Sequence, residues 1–406
     1  MKDLSQSIED LRDEMIVFLT EMCRIQAIAP DSGGKGEADR ASFLLMKLAR
    51  MGFTDVKVIE APDKRVPSGS RPNIIVTVRG KNRKLPAVWV VTHMDIVPEG
   101  DRALWKTDPF DPVLKKDRIY GRGMEDNGQS LVASIYAAKA LLDSGLKQGR
   151  DVKLAIVSDE EVGSKYGIQY LIQKGLFGKR DLILVPDAGS PDGSKIEVVE
   201  KSHLQLKVTT HGKQAHASRP HKGVNAFAAA SKFVARIGDE LYREFHLQDP
   251  MFDPPFSTFE CTKKEPNVPN VNTIPGEDVF HMDCRVLPDI DLEDVMKTIR
   301  KVARAVEKET GARITFEDVR KGNAPQATPT DSPIVKNLQK AVRDIRKIRA
   351  KPMGIGGGTC AAYFREKGLP AAVWETNDEL AHEPNEYCRI SNLVGDAKVM
   401  ARLFQL

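Results

Sequence analysis

The chain has 406 residues, enough for two to four domains and a large buried core. Apolar residues at 41%, charged residues at 29% and a mean hydropathy of −0.35 describe an ordinary globular chain, which excludes the collagen-like, disordered and membrane-embedded classes. Sixty-one basic against 57 acidic residues leave a net charge of +4, and no basic block with interleaved aromatics marks a nucleic-acid surface.

The longest clean apolar runs, such as Ala87 to Val91, fall far short of the roughly 20 residues a membrane helix needs. Met1 to Leu11 interleaves Lys2, Asp3, Glu9 and Asp10 with apolar side chains and carries no export signal, so the expected location is the cytoplasm. Cys23, Cys261, Cys284, Cys360 and Cys388 are scattered, odd in number and without a C-x-x-C pair; they read as reduced thiols.

Leu4, Ile8, Leu11, Met15, Phe18, Leu19 and Met22 recur at helical spacing and predict an opening amphipathic helix. A second helix is expected from Glu37 to Met51, ended by Gly52. Strands follow around Val56 and Val58, over Asn73 to Val78, and over Ala87 to Thr92, whose continuous apolar character suits burial on both faces. Val152 to Val157 and Leu182 to Val185 repeat that pattern, and Gly128 to Leu142 carries a helical stripe between them. Strand, helix, strand alternation of this kind makes a doubly wound α/β sheet the simplest architecture.

From about Glu197 the pattern changes. Leu204, Leu206 and Val208 alternate as in a half-exposed strand, and a long helix is expected from Asn225 to Phe245. A strand over Val279 to Val286, a helix over Leu292 to Glu309 and a strand around Ile314 to Phe316 complete a small two-layer α+β unit. It is placed as an insertion at 199–318, with 1–198 and 319–406 forming the larger domain. The chain returns through a helix over Ser332 to Ile345, a glycine-rich loop over Gly354 to Thr359 and a strand over Ala371 to Trp374.

Each of the three buried strands ends, at its carboxyl end, in side chains able to bind a metal: His93 and Asp95 after Thr92, Asp159, Glu160 and Glu161 after Val157, and Asp187 after Val185. Open α/β sheets gather ligands beyond these strand ends, so the groups should converge there. Asp126, in the loop before the Leu131 helix, can join them. Taken singly, an H-x-D pair or an aspartate at a strand end reads as a cap or turn residue. Together they form a carboxylate cluster that repels itself unless cations neutralise it, and carboxylate with imidazole suits zinc or its substitutes. Glu160 and Glu161 are the most telling pair: neighbours in an extended chain point to opposite sides, so one can bind metal while the other faces water or substrate.

The ordered string His93-x-Asp95, Gly-Arg-Gly-x-x-Asp126, Asp159-Glu160-Glu161, Val185-Pro-Asp187, His216-Ala-Ser and His382-Glu-Pro-Asn resembles the co-catalytic di-zinc amidohydrolases, among them acetylornithine deacetylase, succinyl-diaminopimelate desuccinylase, aminoacylase and glutamate carboxypeptidase. The match covers nearly the whole chain in order. It implies an α/β catalytic domain on a doubly wound mixed sheet, with an inserted two-layer, ferredoxin-like α+β domain through which two copies form a homodimer.

The resemblance also implies roles. His93, Asp126 and Asp187 would hold one Zn²⁺, and Asp126, Glu161 and His382 a second, with Co²⁺ or Mn²⁺ able to substitute. Glu160 would be the general base and Asp95 would orient His93. His216 would reach the partner subunit's site and stabilise the oxyanion, although a histidine in such a domain also reads as a core or surface residue. Arg285, Gly357, Gly358 and Thr359 would grip the substrate carboxylate and Asn272 would contact the substrate, and for these a structural role stands equally open. Two features depart from the pattern: Asp126 is followed by Asn127, Gly128 and Gln129 where many relatives carry lysine-glycine, and position 187 is Asp where some carry Glu. The expected activity is hydrolysis of an N-acyl amino acid, with a dipeptidase or carboxypeptidase as the alternative and a silent binding protein of the same fold as the remote one. No nucleic acid or membrane partner is expected.

Overall fold

The structure, a computed structural model, describes residues 4–406, so Lys2 and Asp3 lie outside the described residues. Contacts divide the described chain into two compact units. Residues up to Val198, with Ala327–Met353 and Thr359–Leu406, form the first; Val199–Gln326 with Gly354–Gly358 form the second. The second runs past residue 318 because its strand Arg313–Gly322 keeps pairing with Ser202–His211 as far as Gly322 opposite His203.

The first unit is built on an eight-stranded mixed sheet, in spatial order Val56–Pro62, Ser70–Val78, Val152–Val157, Val88–His93, Leu182–Val185, Ala371–Val373, Lys195–Glu200 and Lys351–Ile355. Val88–His93 pairs in parallel with both Val152–Val157 and Leu182–Val185, which in turn pairs in parallel with Ala371–Val373. These central strands are buried along their whole length, apart from Lys153, as their unbroken apolar runs require. Ser130–Asp143 and Ile390–Phe404 pack against each other, and Ile390–Phe404 also packs on Pro333–Arg346. Trp89, Phe177, Ile183, Phe364 and Val373 belong to a separate apolar cluster that takes in Ile168–Gln173 and Ala361–Glu366.

The opening stripe is buried apart from the half-buried Leu11, but the expected single helix is two, Ser5–Asp10 and Arg12–Cys23, because Leu11 leaves helical geometry at φ −88°, ψ 0°. Gly52 ends Ala38–Arg50 at φ +86°, as its position suggested. A three-stranded sheet of Val113–Lys115, Arg118–Tyr120 and Tyr387–Arg389 has no counterpart in the sequence reading, since strands this short show no periodicity.

The second unit is a four-stranded antiparallel sheet, in order Thr258–Lys264, Glu277–Val286, Ser202–His211 and Arg313–Gly322, with the helices Ala226–Glu244 and Leu292–Thr310. Leu204, Leu206, Val208, Phe280, Met282 and Cys284 point into one core with Phe233, Ile237 and Ile299. The alternating partners Gln205, Lys207 and Asp283 are only half-buried. Asn225 and Asp291 cap the two helices, accepting from the N–H groups of Ala228 and Glu293. Among the described residues no helix is long and apolar enough to cross a membrane.

Candidate metal centre

The first unit brings together seven of the residues singled out in the sequence. His93 is the last residue of its strand, and its buried ring donates from Nδ1 to the carbonyl of Asp95 at 3.1 Å. That bond turns Nε2 toward Asp126 Oδ1 at 3.0 Å and Asp187 Oδ1 at 3.2 Å. The other oxygen of Asp126, Oδ2, lies 3.3 Å from His382 Nε2, which is also 2.9 Å from Glu161 Oε2. Asp126 thus offers one oxygen to each histidine. His93, Asp126 and Glu161 form one group with ligand atoms close enough for a single ion, and His93, Glu160 and Asp187 form another.

Asp126 sits in an irregular turn, Met124–Gln129, kinked at Asp126 and Asn127; the peptide between them is cis. Gly123 opens the turn at φ +74°, where a Cβ would stand 2.5 Å from Ile96 Cγ2, so glycine is required. Glu160 and Glu161 are not in extended chain, contrary to the sequence expectation. Asp159 adopts the left-handed conformation at φ +69° and turns the chain into a single 3₁₀ turn, Glu160–Val162. Successive side chains of such a turn diverge by about 120°, which separates the two carboxylates. Asp95 holds the turn, its Oδ1 accepting from Glu160 N–H at 3.1 Å and its Oδ2 from Glu161 N–H at 3.0 Å. It therefore orders the Glu160–Glu161 pair with its carboxylate as well as His93 with its carbonyl.

The site is short of positive charge. Burial, followed by the charge of Asp187, pushes Glu160 well above the usual carboxylate range. Burial and Asp126 raise Glu161 to about 7, and contacts with Asp126 and Glu161 raise His382 to about 10. Crowded, half-buried carboxylates flanked by two imidazoles are the donor chemistry of a hard-to-borderline divalent cation, and the residues fit such an ion.

Other contacts were not singled out in the sequence. Asn127 Nδ2 donates to Pro186 O at 2.6 Å and to Asp187 Oδ1 at 2.9 Å, fixing that carboxylate. Glu386 accepts from the N–H groups of Gly123, Glu125 and Asp126 and from Arg122. Behind the Glu160 turn, Arg71 is fully buried, hydrogen-bonded to Glu37 and in an ion pair with Asp159 at 3.2 Å. The only sequence signal for Asn127 and Glu386 was adjacency to the motifs; Arg71 had none.

The remaining candidates, apart from Thr359, form two sets within the second unit. His216 is exposed, its Nδ1 accepting from Ser218, on a ribbon where Ala215–His216 pairs with Thr273–Ile274. Ala217 N–H donates to Asn272 O at 2.8 Å, which sets Asn272 beside that histidine's strand. Arg285 is bonded on three sides: to Asp283 through Nε and Nη2, and through Nη1 to His203 Nδ1 and Gly356 O. A Cβ at Gly358 would stand 3.2 Å from Glu200 Oε2 and 3.3 Å from His203 Nε2, so that glycine is pressed against the same cluster, beside Gly357. Thr359, where the chain re-enters the first unit, is buried and accepts from Ala361 N–H at 3.2 Å.

Residues 89–406 match the model of peptidase family M20/M25/M40. A metallohydrolase of Methanocaldococcus jannaschii is 37% identical over 98% of this chain and 100% of its own length. A succinyl-diaminopimelate desuccinylase of Pelagibacter ubique is 25% identical over 96% and 98%. The crystal structure of an aminopeptidase from Bacillus cereus superposes with a TM-score of 0.76 at 19% identity, over 97% of this chain and 98% of that one, a likeness of fold.

Proposed function

Because the chain belongs to peptidase family M20/M25/M40, we propose that it is a two-cation hydrolase that cleaves the amide of an N-acyl amino acid. In this reading His93, Asp126 and Asp187 hold one Zn²⁺, and Asp126, Glu161 and His382 hold the other; Co²⁺ or Mn²⁺ can substitute. The observation that carries it is the division of Asp126, 3.0 Å from one histidine through Oδ1 and 3.3 Å from the other through Oδ2. The desuccinylase relative, matched along nearly its whole length, supports the acyl-amino-acid class.

Two such cations, when bound, would supply a bound water of lowered pKa and polarisation of the carbonyl to be cleaved. Glu160, grouped with His93 and Asp187, takes the proton of the attacking water and passes it to the leaving amine. Asp95 keeps both His93 and the Glu160 turn in register for this. Arg285, Gly357, Gly358 and Thr359 grip the substrate carboxylate, Arg285 as the planar cation suited to it, and Asn272 contacts the substrate. His216 serves the oxyanion in a homodimer formed through the second unit. The second carboxylate beside Glu161 has no evident structural task, which counts against a silent binding protein.

The test is free-amine release by zinc- or cobalt-loaded protein from N-acetyl and N-succinyl amino acids and unblocked dipeptides, with Glu160→Gln as the blank. Turnover confined to blocked amino acids is expected. Preference for dipeptides would replace the acyl substrate with a peptide. Silence across the panel in metal-loaded protein would overturn the enzymatic assignment.

A further inference from the structure

The segments that carry Asp126 and His382 are braced against each other by two carboxylates that cross. Glu386 reaches back from the His382 side: its Oε1 accepts from Glu125 N–H at 2.9 Å and Asp126 N–H at 3.1 Å, its Oε2 from Gly123 N–H at 3.1 Å and Arg122 Nη1 at 2.7 Å. Glu125, directly before Asp126, reaches the opposite way. Its Oε1 accepts from Asp378 N–H and its Oε2 from Leu380 N–H, each at 2.6 Å. Both carboxylates are buried, whereas the side chain of His382 is 57% exposed.

The His382 segment needs such a hold. No helix or strand covers residues 374–386, and Glu379, His382 and Asn385 lie at φ +60°, +67° and +64°, a region that residues with a Cβ avoid. Backbone of this kind keeps one conformation only where its surroundings over-determine it. Asn385 ties the outer part of the segment to Lys106 N–H and Leu104 O, and Arg122 Nη2 reaches His382 O at 3.3 Å. Glu125 ties its inner part, from the residue next to Asp126. His93 has no such need, since strand pairing opposite Val157 already fixes its backbone.

We propose that Glu125 is a positioning residue for His382, and so for the cation held by Asp126, Glu161 and His382, and that the cation held by His93, Asp126 and Asp187, which has no ligand on the 374–386 segment, does not depend on it. The inference rests on the two-cation reading above. A carboxylate is needed because each oxygen meets an N–H; a glutamine would set its own NH₂ against one of those donors.

Metal-free wild type and Glu125→Gln are titrated with Co²⁺, following the visible absorption of the bound ion and the stoichiometry by elemental analysis. Wild type should take up two ions. In the variant one affinity should stay unchanged and the other fall about 10- to 100-fold, the usual cost of losing a residue that orients a ligand. The spectrum of the remaining tight ion should match that of His382→Ala at one equivalent. Equal weakening of both affinities, or none, overturns the inference, whereas wild type that binds no Co²⁺ overturns the two-cation reading itself. Should Glu125→Gln not fold, hydrogen exchange in metal-free wild type decides: slow exchange at the amides of Asp378 and Leu380 is expected, and fast exchange at both overturns the brace.

Discussion

The two units bury charge to different extents: the second buries Glu200, Lys201, His203 and Asp278, the first a larger set. The cluster that joins sheet and helices in the second unit is apolar throughout, from Leu204 and Phe233 to Ile299 and Ile314. The first unit has apolar clusters too, but beneath its strand ends it also buries Arg71, Glu37, Asp159, Arg122 and Glu386. An apolar core gains stability from area removed from water and is tolerant of how that area is filled. A buried ionic network gains little net stability against a well-packed apolar one, yet removing a single member strands a charge. The contrast therefore predicts that substitutions in the first unit separate chemistry, geometry and stability, while those in the second unit's core touch stability alone.

The largest effect should come from Glu160→Gln. In the proposed mechanism the variant keeps every metal ligand, so it should take up as much metal as wild type and lose about 10²- to 10⁴-fold in turnover, the usual contribution of a general base. Near wild-type turnover would remove Glu160 from the mechanism. Next is Arg71→Met, which leaves Glu37 and Asp159 buried without their cation. Urea titration of the metal-free protein should show a loss of about 3–5 kcal/mol. A loss below about 1 kcal/mol would mean that water reaches these carboxylates and that the network is less closed than its burial indicates.

How much of this was legible in the sequence follows from the range over which each interaction is written. Val152–Val157 and Leu182–Val185 could be placed to the residue because an apolar run states its own burial, and Leu204, Leu206 and Val208 announced a one-sided sheet through their alternation. His93, Glu161 and Asp187 could be gathered because ligands collect at the carboxyl ends of such strands, and Asp126 from its place just before the Leu131 helix. The pairs that hold them could not. Glu37 meets Arg71 across 34 residues and Arg122 meets Glu386 across 264, with nothing periodic to link them. The turn at Glu160 was misjudged for a related reason: it depends on Asp159 at positive φ and on the carboxylate of Asp95, 65 residues away from Glu160.

His216→Ala probes the second unit from its surface. The side chain is exposed and its ring is hydrogen-bonded to Ser218 in its own turn, so stability and metal content should not change. If it serves the oxyanion, kcat should fall about 10²- to 10³-fold, as when one such donor is removed. Loss of metal instead would place this histidine among the ligands, and an unchanged kcat would take it out of the reaction.

The smallest effect, and the sharpest test of the contrast, is Ile299→Val. Ile299 is fully buried in the apolar core of the second unit, on the helix Leu292–Thr310. Removing one methylene costs its transfer out of water plus whatever cavity the helix and sheet fail to close, about 0.5–1.5 kcal/mol. No ligand, and no residue that orders a ligand, lies in this core. Co²⁺ affinities at both positions should therefore equal those of wild type, and kcat should change only as far as the folded fraction does. A selective loss of metal in Ile299→Val would show that the apolar packing of one unit sets the ligand geometry of the other, and the division of labour between the two interiors would not hold.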